Sequence, residues 1–511
     1  MATRFIEPAV AKNDNSMGIF GPALALMSIA GVAGLIWLLL TSTIGEGLTY
    51  FFLVPWILGL AIVQAIPLIV LYYQGKLRFD NPIVFATFSY LFPAFVIGGL
   101  MLALGFSKPY FLQFILDPQE NLPYTIIVIA VGHTGFVLGY FFSLANRFGK
   151  YLSKFMPEGN TDPSAAFLPG FLLLGLGMIN SIVGLIIGFI GYQLVEEASS
   201  YDGILYLTTM FWMQATFFLF YAVFKLGKYD LKTALVVVVV GSTAVIKALF
   251  AGNRGGLITM AMPVVMAYVM SGRTFKLRQF LIAATIGFLC LVVGMVYGTT
   301  FREVKGTEGN IDFGNYADNI GKTFSQVGRN DNIEILQFGF QHLAERIDSV
   351  SPLAVVVSTY EQMQPYEEGY GLDNNIWKDT VSFLIPRIVW NDKPLASEPR
   401  KYAALYFDYP DNSFTVTPYG DLIRNFGIYG VFAGMFLIGC LLRVIFRALI
   451  EDQPSKLWKA TMYFMLLSTI SYEGFYGSIF PLMVKVFVIT LIGLLVVRLL
   501  GRKLGKLKET V

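Results

Sequence analysis

The stretch Thr233–Phe250, TALVVVVVGSTAVIKALF, runs through AGNRGG at 251–256 into LITMAMPVVMAYVMS at 257–271. Neither long run offers a polar face to water. A helix that is apolar all round belongs inside a large core or in lipid. With six residues between them, the two runs form a tight helical hairpin. Outward from this pair the pattern recurs along the chain. Crossing ~30 Å of hydrocarbon takes about 20 apolar residues. Twelve stretches are read as spans: 17–41, 48–73, 83–106, 124–146, 166–192, 203–224, 233–250, 257–271, 279–299, 427–446, 459–472 and 479–499. The first is too long for a signal peptide and lacks a small-residue cleavage site, so it reads as a retained helix.

Composition points the same way. Of 511 residues, 55% are hydrophobic and only 14% charged, with mean hydropathy +0.63. Soluble domains carry roughly 25% charged residues. The net charge of +3 gives no basic surface for nucleic acid. Cys290 and Cys440 sit in apolar runs, and His133 and His342 alone make no metal site. No disulfide framework, metal or cofactor is expected.

Lys and Arg collect in cytoplasmic loops. The N-terminus, the even-numbered connections and the C-terminus hold 22 of the 37 Lys and Arg, while the short odd-numbered loops hold only Lys108 and Arg254. This alternation places both termini in the cytoplasm. The fold expected is an all-α polytopic membrane protein in three parts: a bundle over 1–299, a large external loop over 300–426, and C-terminal helices with a basic tail over 427–511. The loop holds 18 acids and 11 bases. It is read as a roof over the helices, with an interfacial amphipathic helix at Ile376–Ile385. No internal repeat is visible.

Ionisable residues within spans are costly and are functional candidates. Lys247, Arg254 and Lys485 lie toward the external side, where charge bias disfavours cations, and Glu473 stands at the external end of its span. Each of these has an ordinary reading as a snorkelling or locally paired group, for example Lys485 with Glu473. As a set they suit a pyrophosphate, with its concentrated charge and many acceptor oxygens. Gly252, Gly255 and Gly256 around Arg254 allow close approach and free amides at a helix start. The alternative for this turn is a tight hairpin with a snorkelling Arg.

Three patches resemble a known family. Leu249-Phe-Ala-Gly-Asn-Arg-Gly-Gly-Leu257 resembles the arginine turn of the O-antigen ligase and polymerase superfamily. Phe383-Leu-Ile-Pro-Arg-Ile-Val-Trp-Asn-Asp-Lys-Pro394 resembles the Pro-Arg…Trp…Lys-Pro stretch in the external loop of Wzy-type oligosaccharide repeat-unit polymerases. The segment Thr417-Pro-Tyr-Gly-Asp-Leu-Ile-Arg-Asn-Phe-Gly-Ile-Tyr-Gly430 is similar to that family's closing segment. The Arg-x-Gly repeat of some polymerase loops is absent at its usual spacing.

The resemblance implies a glycosyltransferase C-like membrane enzyme at the periplasmic face of the bacterial inner membrane. It would join undecaprenyl-pyrophosphate-linked oligosaccharide units for O-antigen, capsule or exopolysaccharide, without a metal. A chain-length regulator and a flippase are the partners implied, besides membrane lipid.

Fixed cations stabilise a departing pyrophosphate. Arg254 and Arg387 are assigned that role, with Lys247, Arg400, Arg424 and Lys485 as further pyrophosphate ligands. A high-pKa acceptor hydroxyl calls for a base. Asp392, Glu398, Asp421 and Glu473 are the options. Trp390 and Tyr419, with Asp421, are sugar-binding candidates, and Trp377, Tyr402 and Tyr406 are further stacking platforms. The alternative for the aromatics is loop core or interfacial belt. Two other functions stay open: an O-antigen ligase with a different acceptor, and a twelve-helix transporter or flippase.

Overall fold

The computed structural model describes residues 48–157, 163–187, 202–227, 230–251, 256–273, 313–327, 343–383, 398–410, 416–453 and 456–509, with isolated positions between them. Among these residues every element is a helix. They include α1 (Val54–Tyr73), α2 (Pro82–Ala103), α3 (Pro118–Phe141), α4 (Ser143–Ser153), α5 (Phe167–Ile186), α6 (Phe211–Leu226), α7 (Leu231–Ala251), α8 (Gly256–Met270), α9 (Phe313–Val327), α10 (Val350–Met363), α11 (Asn375–Ser382), α12 (Pro399–Phe407), α13 (Pro418–Leu449), α14 (Leu457–Ser468) and α15 (Tyr476–Glu509), with a short helix, Asp202–Thr209, leading into α6 and 3-10 turns between some of them.

Eight of the helical stretches are long and apolar enough to cross a membrane. They correspond to the expected spans at 48–73, 83–106, 124–146, 166–192, 203–224, 233–250, 427–446 and 479–499. The expected span at 17–41 and nearly all of 279–299 lie outside the described residues. The expected span at 257–271 is a shorter apolar helix, and that at 459–472 overlaps the 12-residue α14. Twelve residues make about 18 Å of helix, less than the hydrocarbon thickness.

The core is organised around α3 and α13. Small residues let their backbones approach, as in membrane helix pairs. A Cβ added at Gly135 would sit 2.4 Å from the Phe432 carbonyl oxygen, one at Gly139 2.0 Å from that of Phe436, and one at Gly439 2.1 Å from that of Phe136. No larger side chain fits this seam. Along α13 the backbone breaks at Gly427, with φ +65°. That conformation suits a residue without Cβ. The break divides a first piece, beginning at Pro418, from the membrane-crossing length, which the hydropathy pattern had started at 427.

The connections sort to two ends. At one end Lys76 pairs with Glu451 at 3.2 Å and Arg443 donates to Asn146 at 2.6 Å, joining the second, fourth and tenth connections. At the other, Tyr110 donates to the Phe407 carbonyl at 2.9 Å and Arg346 pairs with Glu473 at 3.1 Å. The third connection, the 300–426 segment and the eleventh connection meet there.

The 300–426 segment is woven into the bundle. Helix α10 buries Val350, Leu353, Ala354, Val355 and Val356 completely. Burial of each large apolar side chain contributes about 1.5–3 kcal/mol. Its approach is close: a Cβ on Gly98 of α2 would lie 2.6 Å from the Ile347 carbonyl oxygen. Just before α10, buried Asp348 accepts from Ser107 Oγ at 2.8 Å and from the backbone amides of Val350 and Ser351 at 3.0 Å each. Helix α11 is amphipathic, as expected for 376–385. Trp377 and Val381 face outward, while Asn375, Ile376 and Asp379 are buried.

Candidate functional site

At the loop end of the bundle a polar cluster is built where α11, α12, the start of α13 and the start of α15 converge. Thr417 starts α13, its hydroxyl accepting from the Gly420 amide at 3.1 Å. One turn of helix then puts Asp421 and Arg424 on the same face, three residues apart. The Arg424 guanidinium is fully buried and makes ion pairs of 2.8 Å with Glu367 and with Asp421. It also donates to the Leu372 carbonyl at 3.0 Å and to Asn375 Oδ1 at 2.6 Å. Among the described residues its Nε has no hydrogen-bond partner, and the Phe475 ring lies 5.8 Å from the guanidinium carbon.

Two carboxylates against one guanidinium leave a negative charge to offset. Neutral donors supply the balance. Asn375 Nδ2 donates to Asp421 Oδ1 at 3.0 Å, the Gly477 amide to Asp421 Oδ2 at 3.2 Å, and the Tyr406 hydroxyl to Glu367 at 2.8 Å. Burial pushes the Tyr406 hydroxyl far above its ordinary range, so it remains a donor at neutral pH. Buried ion clusters of this kind hold only while every partner is present. The cluster fastens the loop segment to two spanning helices.

This geometry bears directly on three residues singled out in the sequence. Arg424 commits four of its five donors to protein acceptors. Asp421 is fully buried and already accepts four hydrogen bonds, from Arg424, from Asn375 and Asn425 at its Oδ1, and from Gly477. Tyr419 is fully buried, its ring 5.3 Å from that of Phe95 and against Gly132 of α3. None of the three offers an open face, so their place is in the framework.

The remaining candidates are spread around this framework. Lys247 of α7 is half-buried, with Nζ 4.7 Å over the ring of Trp212. That ring is held by a 2.8 Å hydrogen bond from its Nε1 to Thr243. Gln214, two residues on, donates to the Thr490 carbonyl of α15 at 2.9 Å. Lys485 is five residues before Thr490, about 7 Å along α15 at 1.5 Å per residue. Lys485 is exposed along α15, and Asp379 of α11 is the acid whose field reaches it.

Glu473 is exposed and paired with Arg346, not with Lys485 as the local reading had suggested. Arg400 is half-buried in the first turn of α12, and Trp390 is exposed. Arg254, Arg387 and Asp392 lie outside the described residues, as does His342. His133 is buried in α3, and among the described residues neither ring nitrogen has a hydrogen-bond partner. Glu367, Asn375 and Arg346 were not singled out in the sequence. In Gln364-Pro-Tyr-Glu-Glu-Gly-Tyr370 nothing local tells the buried Glu367 from the exposed Glu368.

These features define an all-helical protein with several membrane-crossing helices and a helical cap fastened at one end. Residues 171–452 match the family described as a domain of unknown function, DUF8712, and the chain belongs to that family. The match runs from α5 to the end of α13 and takes in residues 249–257 and the buried cluster apart from its contacts with Phe475 and Gly477. No curated protein and no solved structure matches the chain.

Proposed function

We propose that the protein is a lipid-linked oligosaccharide polymerase of the inner membrane, transferring a growing glycan from undecaprenyl pyrophosphate to a new lipid-linked unit at the periplasmic face. One observation carries this reading. Two lysines, Lys247 and Lys485, are set within apolar helices toward the end where the 300–426 segment is fastened. Cations at that depth are costly. An anionic lipid-borne substrate entering from the bilayer would offset the cost. The three sequence patches that resemble Wzy-type polymerases support the same substrate class.

In this mechanism the anomeric carbon–oxygen bond to the pyrophosphate breaks as a hydroxyl oxygen of the incoming unit bonds to that carbon. The hydroxyl proton passes to a carboxylate, with Asp392 and Glu473 the candidates. The electron pair leaves with the lipid pyrophosphate, whose growing charge is met by Arg254, Arg387, Lys247, Lys485 and Arg400. Preorganised cations in a water-poor site are effective at this task. Arg424 and Asp421 act at one remove, by holding α11 and α13 in register. Twelve spans with both termini cytoplasmic complete the proposed topology.

The test is purified, reconstituted protein supplied with a lipid-linked repeat unit. A ladder of chain lengths supports polymerisation. A single transfer to a different acceptor identifies a ligase. Passage across the bilayer with no new glycosidic bond identifies a transporter.

A further inference from the structure

The end of the bundle opposite the fastened segment carries a feature that glycosyl transfer does not use. Helix α3 has 24 residues, about 36 Å at 1.5 Å per residue. It therefore exhausts the hydrocarbon thickness by Phe141. Phe142 then leaves helical geometry, with φ −64° and ψ 125°, and α4 begins at once. The hydropathy reading had run this span on to 146.

Helix α4 has three distinct faces. Ala145 and Gly149 are buried against α13, where a Cβ on Gly149 would lie 2.8 Å from Arg447 Cβ. The helix is therefore pinned to the bundle. Leu144, Phe148, Tyr151 and Phe155 are all exposed, at the i, i+4, i+7, i+11 spacing of one stripe. Arg147, Lys150 and Lys154, also exposed, form a second stripe turned by about 100° from the first. No acid occurs between residues 121 and 157.

We propose that α4 is a surface platform for acidic phospholipid. Its apolar stripe is sunk at the headgroup boundary, and Arg147, Lys150 and Lys154 grip lipid phosphates. The charge complementarity is one-sided. An apolar stripe beside a basic one is the form of an interfacial helix, and bases close to an anionic leaflet are attracted to it. A protein partner would be expected to find some acid to pair with its own bases on this surface, and α4 presents none. Beside the helix, a cleft of about 210 Å³ is lined by Ser143, Asn146, Lys76, Arg443 and Glu451; Glu451 pairs there with Lys76 at 3.2 Å and Arg443 at 2.6 Å, so the unneutralised bases at this edge are those of α4. This assignment is independent of the polymerase reading.

The experiment uses the full-length protein in vesicles of phosphatidylcholine with or without phosphatidylglycerol. Thermal unfolding and lipids retained in native mass spectrometry are the readouts. Wild-type protein should be stabilised by phosphatidylglycerol and retain it preferentially. The variant Arg147→Gln/Lys150→Gln/Lys154→Gln should lose at least tenfold of that preference while keeping its unfolding temperature in pure phosphatidylcholine. A variant that retains phosphatidylglycerol like the wild type overturns the proposal, as does a wild type that shows no preference. Equal stabilisation by inorganic phosphate would make the site one for free anions and overturn the membrane assignment. As a second arm, Phe148→Ser/Phe155→Ser should weaken retention of both lipids. Unchanged retention would remove the apolar stripe from the platform.

Discussion

Arg424 and Glu367 meet at 2.8 Å in the buried cluster, although 57 residues separate them in the chain. The pair ties the 300–426 segment to α13, and neither partner has water to fall back on.

Removing one member should therefore cost far more than a surface ion pair. Glu367→Ala is expected to destabilise the protein by about 3–5 kcal/mol, because a guanidinium is left buried with one carboxylate fewer. Thermal unfolding in detergent measures this. Glu368→Ala, one residue on and exposed, should change little, within about 0.5 kcal/mol.

The α3–α13 seam makes a steric prediction. Gly139→Val places carbon where the Phe436 carbonyl oxygen already stands, 2.0 Å from the added Cβ. The helices must part, at a cost of about 1–3 kcal/mol or more. Gly175→Ala in α5 meets no atom within 4 Å among the described residues and should be neutral or stabilising by up to about 1 kcal/mol. Yield of monodisperse protein and unfolding temperature distinguish the two.

Asp348 gives a pH dependence. Burial pushes its carboxyl up to about 6, outweighing the hydrogen bonds from Ser351 and Ser107. The folded state then binds the proton more tightly than the unfolded state does. Stability should fall as pH rises from about 4 to about 6 and be level above that, so far as this group is concerned. Asp348→Asn should flatten that slope in unfolding curves measured across pH 4–7.

The proposed glycosyl transfer is tested at the cations. Arg254→Ala and Arg387→Ala should abolish polymer while leaving membrane expression intact. Lys485→Gln should lower turnover about 100-fold, the size of effect seen when one preorganised donor to a developing charge is removed. Ladder assays on reconstituted variants check this, and normal polymer from any one of them removes that residue from the mechanism.

The membrane helices were legible because hydrophobic length is a local property. Eight of the expected spans recur with shifts of a few residues, and even the break at Gly427 coincides with the reading of that span's start. Helix α4 was hidden because Phe141, Phe142 and Leu144 continue the apolar run past the point where the helix ends. Helix α10 was hidden for the opposite reason. Its apolar core, Leu353–Val357, is short and set in polar sequence, so it reads as loop. The buried cluster is largely a matter of partners 39–57 residues apart, which periodicity does not reveal. Arg424, Asp421 and Tyr419 stood out by residue type, yet only burial distinguishes a strut from a ligand.

Because α10 is sunk between α2, α3 and α13, the 300–426 stretch is not a detachable ectodomain. Excised for expression in solution, it would display an oily strip from Val350 to Val357 and leave buried Asp421 without the Gly477 amide of α15. Such a fragment should aggregate, and biochemical work on the cap has to be carried out on the intact polypeptide.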